Sequence, residues 1–273
     1  MQDKISLAGD LGSGKSTVSN ILIERLGAKY YSTGAIVRSI AAKRGMSVVE
    51  LNVYMETHPE IDHEIDDGLR ELSSVDELLV IDSRMAWHFT EGTFKVYLST
   101  DPETSALRIM NANRVGEHAA TLEDTIKETK ARRESEKKRY MEQYGVDIKD
   151  LTHYSLVLDT TYATPEEVAD KLISTFDAWR ENKDMKVAYL SPERIFYPDD
   201  APNAVELAYL SASLESGKPI PEVTVAEVDG EFYLTSGLES ALAYSFAMNT
   251  FIPCKIVHKD IDKSCFVKMK NSL

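Results

Sequence analysis

The segment Gly9–Ser16, which reads G-D-L-G-S-G-K-S, is the feature that most restricts how this chain folds. It fits the pattern G-x-x-x-x-G-K-[ST], and it lies between an apolar run (Lys4–Ala8) and an amphipathic run (Gly14–Leu26). Glycines at these spacings let consecutive backbone N–H groups turn inward at the start of a helix, where they form a nest for an anion. The motif therefore predicts a strand-loop-helix unit that binds the phosphates of a nucleoside triphosphate.

Through the first 180 residues, short apolar runs alternate with longer amphipathic ones. The predicted strands are Lys4–Ala8, Leu78–Ile81, Phe94–Leu98 and Leu156–Leu158, and the predicted helices are Gly14–Leu26, Thr33–Arg44, Ile61–Leu72, Pro102–Asn113, Leu122–Tyr144 and Pro165–Arg180. Asp101 and Thr164 each precede a proline, a pairing that favours a first helical turn. The alternation predicts an α/β fold in three layers, with helices on both faces of a parallel sheet.

A polar stretch at residues 180–186 separates this pattern from a proline-punctuated one. There, Asp229-Gly230 between Glu222–Val228 and Glu231–Leu234 predicts a β-hairpin, followed by a helix at Leu238–Met248 and a strand at Pro253–His258. We therefore expect a first domain at residues 1–182 and a small α+β domain at residues 186–273.

The net charge of the chain is −14, with 31 basic and 45 acidic side chains. This balance argues against nonspecific binding to nucleic acid or to an anionic membrane, so an anionic ligand must meet a local basic patch. No apolar run is long enough to span a bilayer. Two cysteines are too few for a disulfide framework, and the amino terminus lacks the layout of a signal peptide, so we expect a cytoplasmic protein.

One acidic and two basic side chains stand where ligands of open α/β sheets bind. Asp82 ends the apolar run Leu78–Ile81, the expected position of a carboxylate that serves Mg²⁺. Arg84 follows two residues later, and Arg38 lies on the helix that Thr33 opens. The alternatives are a helix cap or turn residue for Asp82 and a surface ion pair for either arginine.

Residues 130–139 hold six basic and two acidic side chains, a local charge of +4 in an acidic protein. A helical run of this kind is usually a solvated face with i,i+4 ion pairs. It is also what a mobile helical lid would need to bring arginines to a transferring phosphoryl group.

Residues 1–180 resemble the cytidylate kinase branch of the nucleoside monophosphate kinases, through motifs that occur in the family's order. These motifs are the loop at Gly9–Thr17, T-G-x-x-x-R at Thr33–Arg38, P-E-I-D-x-x-I-D around Pro59–Asp66, R-M-A-W at Arg84–Trp87, which resembles the family's G-R-x-A-x-W segment, and a lid-like R-E-x-x-x-x-R-Y at Arg133–Tyr140 with Y-G-x-D at Tyr144–Asp147. Two positions depart from the family. Ser83 replaces a glycine, and Asp10 is an acidic side chain that must point away from the phosphates.

The resemblance implies ATP- and Mg²⁺-dependent phosphoryl transfer to a nucleoside monophosphate, with CMP or dCMP as the first expectation. The residues it implies are Lys15, Arg133 and Arg139 on the phosphoryl group in flight; Gly9, Gly12, Ser13, Gly14, Lys15, Ser16 and Thr17 on ATP; Ser16 and Asp82 on Mg²⁺; and Thr33, Gly34, Arg38 and Arg84 on the acceptor. Asp62, Asp66 and Arg70 are candidates for base or ribose contacts, with a solvated helix face as the favoured alternative. A kinase for another acceptor and a nucleotide-gated binding protein remain open as alternative functions.

Residues 186–273 resemble the ParB/sulfiredoxin-like domain. The resemblance rests on Arg194-Ile195, Ile220–Val223, Val228–Gly237 and Ile252–Ile256. Active members of that family have G-H-R after the hairpin, whereas Gly237 is followed here by Leu238-Glu239. We therefore expect a module for a protein contact or dimerisation.

Overall fold

The computed structural model of the protein describes residues 3–111 and 121–268. Within these ranges the strands are β1 (Lys4–Gly9), β2 (Lys29–Ser32), β3 (Leu79–Asp82), β4 (Thr93–Ser99), β5 (Leu156–Asp159), β6 (Val187–Leu190), β7 (Ile195–Pro198), β8 (Val223–Val228), β9 (Glu231–Ser236), β10 (Ile252–Val257) and β11 (Phe266–Lys268). The helices are α1 (Lys15–Leu26), α2 (Thr33–Arg44), α3 (Val48–Met55), α4 (Glu60–Glu71), α5 (Ala86–Phe89), α6 (Pro102–Asn111), α7 (Leu122–Tyr144), α8 (Pro165–Glu181), α9 (Ala204–Glu215) and α10 (Leu238–Phe246). Residues 112–113, which the sequence assigns to the end of α6, lie outside the described residues.

Helix ends follow the capping residues of the sequence. Thr164 and Glu167 form a capping box at the start of α8, as the Thr164-Pro165 pair predicts. The Asp101 carboxylate accepts hydrogen bonds from two backbone N–H groups at the start of α6, both at 3.0 Å. The long helix α7 begins after Thr121, whose side chain accepts from the N–H of Asp124, and it ends at Gly145 with a φ of 67°.

The described strands form one sheet in the order β11-β7-β9-β8-β10-β6-β5-β4-β1-β3-β2. The six neighbouring strands β6-β5-β4-β1-β3-β2 are all parallel, which confirms the predicted α/β fold. Because parallel strands end at a common edge, the segments after β1, β3, β4 and β5 lie next to one another. This edge carries the predicted site.

Residues 186–273, called the second half of the chain below, extend the same sheet as residues 1–182, called the first half. Strand β6 pairs parallel with β5 on one side and antiparallel with β10 on the other. The predicted hairpin is confirmed: β8 and β9 are antiparallel, and Asp229 and Gly230 between them have φ angles of 57° and 86°. Strand β6 belongs to the predicted second domain, yet it pairs with β5 of the predicted first domain through backbone hydrogen bonds. The division into two domains at residues 182–186 therefore remains a prediction.

Two buried apolar clusters cover the two faces of the sheet. One contains Leu7, Leu22 and Phe176 beneath α1 and α8. The other runs from Tyr97 in the first half of the chain to Phe232 in the second, so the two halves share one core. In residues 3–111 and 121–268, none of the helices combines the length and the apolar character that crossing a bilayer requires.

Candidate active site

The loop between β1 and α1 has the glycine conformations that its motif predicts. Gly9, Gly12 and Gly14 have positive φ angles of 145°, 72° and 81°. A Cβ atom on Gly9 would lie 2.3 Å from the carbonyl oxygen of Leu98, and one on Gly12 would lie 2.5 Å from that of Ser105. Because Gly14 supplies no side-chain cap to α1, the first N–H groups of that helix are left for an anionic ligand.

Lys15 folds back over this loop. Its ammonium group donates hydrogen bonds to the carbonyl oxygens of Gly9, at 3.0 Å, and Asp10, at 2.7 Å. Burial lowers the pKa of Lys15 to about 8, although the carboxylate of Asp82 acts in the opposite direction. Phosphate oxygens are stronger acceptors for an ammonium group than carbonyl oxygens are. The Lys15 side chain therefore lies at the loop where the motif predicts the phosphates to bind.

The acidic side chain of the loop, Asp10, is buried and fully engaged. Its carboxylate accepts hydrogen bonds from the Tyr97 hydroxyl (2.7 Å), the Lys149 ammonium (2.6 Å) and the Thr100 backbone N–H (3.0 Å). Burial alone would raise the pKa of Asp10, but the charges of Lys149 and Arg133 hold it well below its usual range. Asp10 is thus a buried, ionised carboxylate that binds the phosphate loop to Tyr97, Thr100 and Lys149. Sequence reasoning expects it to avoid the phosphates but does not identify Tyr97 or Lys149.

The two predicted Mg²⁺ ligands lie on either side of one tyrosine. The hydroxyl group of Tyr30 donates to the Asp82 carboxylate at 3.1 Å, and Ser16 is a second hydrogen-bonding neighbour of that hydroxyl. Burial raises the pKa of Tyr30, and the Asp82 charge adds to the rise. Ser16 is exposed and Asp82 half-buried at the end of β3. A hydroxyl and a carboxylate beside a phosphate loop are the donors that Mg²⁺ takes in nucleotide sites, where water and phosphate complete its octahedron.

Arg84 is tied to the lid-like helix α7 by Glu136. Its Nε donates to one oxygen of the Glu136 carboxylate, and Arg132 Nε lies 3.2 Å from the other. Glu136 is only 4% exposed. Burial raises the pKa of Glu136, but the charges of Arg84, Arg132 and Arg139 together outweigh burial and lower it. Glu136 is a residue that sequence reasoning misses, although it is one of only two acidic side chains in the basic run.

The two predicted lid arginines point to different partners. Arg133 lies beside the loop, with Nη2 3.3 Å from the Asp10 carboxylate. Arg139 faces away, towards α3 and α4: its Nε is 2.7 Å from the Asp62 carboxylate, and its Nη1 donates to the backbone oxygen of Asn52 at 3.2 Å. In this conformation α7 therefore brings Arg133, but not Arg139, to the loop.

Arg84 and Arg133 line the same cavity beside the loop. Gly9 and Glu136 also line this cavity, which has a volume of about 20 Å³. This volume suffices for about one water molecule.

The predicted acceptor residues at the start of α2 have the following positions. Thr33 donates to the backbone oxygen of Asp82 at 3.4 Å, which joins α2 to the end of β3. Arg38 is exposed and makes no ion pair with any residue in the described ranges. A Cβ atom on Gly34 would lie 3.4 Å from Nη1 of Arg38, so glycine leaves room for this guanidinium along the helix.

The predicted solvated face of α4 is wrong for two of its three residues. Asp62 and Asp66 are each 3% exposed. They face α7, where Asp62 pairs with Arg139 and Asp66 accepts a hydrogen bond from Tyr144. The sequence pattern of α4 suggests that this face is exposed to solvent, but the face is buried because α7 packs against it.

A cavity of about 420 Å³ opens on the other side of the loop. The residues that line it are Gly12, Ser13, Gly14, Thr17, Val18, Arg108, Ile109, Asn111, Thr160, Ala163, Pro165 and Val168. Thr160 donates to the backbone oxygen of Ser13 at 3.1 Å, and Arg108 donates to the backbone oxygen of Thr160 at 2.7 Å. The cavity is large enough for a nucleoside, and Arg108 and Thr160 are wall residues that sequence reasoning does not identify.

A family model described as an AAA domain matches residues 5–143. A cytidylate kinase from Thermoplasma volcanium is 35% identical over 178 residues, which cover 64% of this chain and 91% of that protein. A cytidylate kinase from Archaeoglobus fulgidus is 34% identical over 184 residues, which cover 67% and 99% respectively. A sulfiredoxin structure from Arabidopsis thaliana covers 27% of this chain and 85% of its own, with 25% identity and a TM-score of 0.25. The first three matches agree with the resemblance predicted for residues 1–180, while the ParB/sulfiredoxin-like assignment of residues 186–273 remains a prediction.

Proposed function

The chain belongs to the AAA domain family, and from this premise we propose that it transfers the γ-phosphoryl group of ATP to CMP or dCMP, giving ADP and the nucleoside diphosphate. Curated cytidylate kinases that are 33–38% identical over about two thirds of the chain support a nucleoside monophosphate kinase. The observation that carries the proposal is the convergence of Lys15, Arg84 and Arg133 on the phosphate loop. A nucleotide-gated switch needs no such set of cations, because it does not bring two anionic substrates together.

ATP would bind with its base and ribose in the 420 Å³ cavity and its phosphates on the loop. Gly12, Ser13, Gly14 and Thr17 line that cavity. The Lys15 ammonium would exchange its two carbonyl acceptors for phosphate oxygens. Ser16 and Asp82 fit Mg²⁺, which when bound neutralises charge on the β- and γ-phosphates.

The acceptor would bind on the opposite side, between Arg38, Arg84 and the start of α2. The exposed Arg38 is available to a phosphate, whereas Arg84 would exchange part of its contact with Glu136 for the acceptor phosphate. Arg133 and Arg139 would stabilise the phosphoryl group in flight. Because Arg139 is paired with Asp62, this role requires a rearrangement of α7 against α4 on substrate binding. Positioning and charge neutralisation suffice for this reaction, without a covalent intermediate.

For residues 186–273 we propose a ParB/sulfiredoxin-like module that makes a protein contact. Gly237 stands where active members of that family begin G-H-R, and it precedes α10 with a φ of 82°. A Cβ atom there would lie 2.8 Å from the carbonyl oxygen of Glu222, so this turn requires a glycine. Val205, Tyr209 and Met248 are 81%, 70% and 87% exposed, which supports a contact through α9 and the end of α10. Sedimentation velocity of the full chain with and without Tyr209→Glu separates dimerisation, which the variant would abolish, from a contact with another protein.

The test of the kinase is ADP production with Mg²⁺-ATP and a panel of CMP, dCMP, UMP, dTMP, AMP and GMP. We expect rapid turnover with CMP or dCMP and slow turnover with the purine nucleotides. Lys15→Ala is the negative control, and Lys29→Ala, an exposed lysine paired with Glu77, is the matched positive control. ATP binding without phosphorylation of any of the six nucleotides would contradict the proposal and favour another acceptor or a nucleotide-gated switch.

A further inference from the structure

Arg194 belongs to the second half of the chain but is buried at the edge of the nucleotide site. It ends a short turn (Pro192–Arg194) directly after β6, and β6 lies beside β5 in the sheet. The turn therefore lies next to the segment that leaves the carboxyl end of β5. The Arg194 residue is 4% exposed, so its charge and donors require partners inside the protein.

Those partners come from both halves of the chain. Arg194 Nη1 donates to the Thr161 hydroxyl at 2.8 Å and lies 3.4 Å from the Asp159 carboxylate. Its Nη2 donates to the backbone oxygen of Gly230, at the tip of the β8–β9 hairpin, at 3.0 Å. The guanidinium also lies over the ring of Phe232, 5.5 Å from its centroid. Arg194 thus fixes the segment after β5 to the hairpin.

The segment that Arg194 holds, Asp159–Thr161, forms part of the wall of the 420 Å³ cavity. Thr160 lines the cavity and donates to the backbone oxygen of Ser13 in the phosphate loop at 3.1 Å. The Thr161 hydroxyl donates to Asp159 at 2.6 Å and accepts from the backbone N–H of Asp101 at 3.2 Å. All the hydrogen-bonding capacity of this hydroxyl is therefore used, and Arg194 supplies one of its partners.

The Asp101 end of this network leads back to the same loop. Asp101 caps α6, and Ser105 of α6 donates to the backbone oxygen of Leu11 at 2.5 Å. The backbone of Ser105 is also the surface against which Gly12 packs. Two connections therefore run from Arg194 to the phosphate loop, one through Thr160 to Ser13 and one through Asp101 and α6 to Leu11.

We propose that Arg194 is a positioning residue for the donor nucleotide. It holds the Asp159–Thr161 wall in the position that ATP binding requires, and it makes the second half of the chain part of the kinase. The kinetic part of the test below rests on the proposed function, because it measures turnover. The measurement of binding to an ATP analogue does not rest on it. Arg194 lies beyond the reacting phosphates and acts only through Thr161 and Asp159.

The test compares Arg194→Ala, Thr161→Val and the double variant in the full-length chain. Thr161→Val keeps the shape of the side chain and removes the hydroxyl, so it interrupts the connection even if Arg194→Ala fails to fold. We expect each single variant to raise the KM for ATP, and the Kd for a non-hydrolysable ATP analogue measured by calorimetry, about tenfold. The KM for CMP stays within about twofold. The effect of the double variant is smaller than the sum of the two single effects, because both substitutions remove the hydrogen bond between Arg194 and Thr161.

Two further variants make the result specific. Arg180→Ala removes an exposed arginine paired with Asp3 and Asp177, and we expect it to leave the Kd for the analogue unchanged. Arg194→Lys retains a charge that can reach Thr161 but not Gly230 as well, so it restores part of the affinity.

A folded Thr161→Val variant with wild-type affinity for the analogue would overturn the proposal, as would an equal rise in the KM values for ATP and CMP. Wild-type protein that binds the analogue but phosphorylates no nucleotide would contradict the proposed function alone. The calorimetric comparison would still decide the role of Arg194.

Discussion

Arg139 and Asp62 form a buried ion pair between α7 and α4, with 2.7 Å between Nε and the carboxylate oxygen. Their side chains are only 4% and 3% exposed. The pair explains why the lid-like helix lies against α4 in this structure, with Arg139 directed away from the phosphate loop. If Arg139 binds substrate phosphates as proposed, they must displace this internal carboxylate.

We expect Asp62→Asn to lower the free energy of unfolding by about 3 kcal/mol, because it leaves the Arg139 charge buried without its counter-ion. Urea denaturation followed by circular dichroism measures this change. Asp67→Asn, on the same helix, breaks only an exposed pair with Arg70 and should change the free energy of unfolding by about 0.5 kcal/mol or less. Equal losses in the two variants would show that the buried pair contributes no more than a surface one.

Lys15→Ala should lower kcat by about 100- to 1000-fold, because the ammonium that stabilises charge on the transferring phosphoryl group is lost. The fold should persist, since the hydrogen-bond acceptors that lose Lys15 are backbone oxygens of the phosphate loop itself. Steady-state kinetics with CMP, together with the melting temperature, measure both effects. Near-wild-type turnover in a folded variant would contradict the assigned role of the loop lysine.

Arg84→Ala should raise the KM for the acceptor by about 10- to 100-fold while leaving the Kd for an ATP analogue within about twofold, because a charge-assisted bond to the acceptor phosphate is removed. Glu136 keeps its second partner, Arg132, which limits structural damage. Arg25→Ala, whose arginine pairs with Asp170 at the surface, is the matched control. A rise in the Kd for the analogue with no change in the acceptor KM would place Arg84 on the donor side instead.

Local signals account for the part of the fold that the sequence predicts. The helix α2 at Thr33–Arg44 and the helix α7 at Leu122–Tyr144 match their predicted bounds, since each ends at a glycine with positive φ. Helix α3 escapes prediction although Ser47 and Glu50 form a capping box at its start, because it is short and almost wholly apolar. Strands β6 and β7 also escape prediction, because they lie where the regular alternation of apolar and amphipathic runs has ended.

The site residues, like the elements of the fold, can be predicted where they belong to one local motif and cannot where they meet only in the folded chain. The glycines and Lys15 are readable because the loop is one continuous motif. The partner of Arg84 is not, since Glu136 lies 52 positions away and meets it only when α7 folds over the sheet. For the same reason the continuation of the sheet through β6 is visible only in the structure, because pairing of β5 with β6 depends on tertiary contacts rather than on strand propensity.

Asp66 gives the fold a dependence on pH. It accepts a hydrogen bond from Tyr144, and burial raises its pKa from 3.8 to about 6; Asp62 adds to the rise, while Tyr144, Arg70 and His63 oppose it. Between these two pKa values the folded chain binds more protons at this carboxyl group than the unfolded chain does. The contribution of Asp66 to the free energy of unfolding therefore falls as pH rises from about 4, by roughly 3 kcal/mol in total, and levels off above about pH 7.

Asp66→Asn removes the titrating group and keeps an oxygen that can accept from Tyr144. We expect the free energy of unfolding of this variant, relative to wild type, to increase by roughly 2–3 kcal/mol between about pH 4 and about pH 7. Urea denaturation at several pH values measures the difference, with Asp67→Asn as the exposed control. A difference between Asp66→Asn and wild type that does not vary with pH would mean that the Asp66 carboxyl group titrates alike in the folded and unfolded chains, and that burial between α4 and α7 does not perturb it.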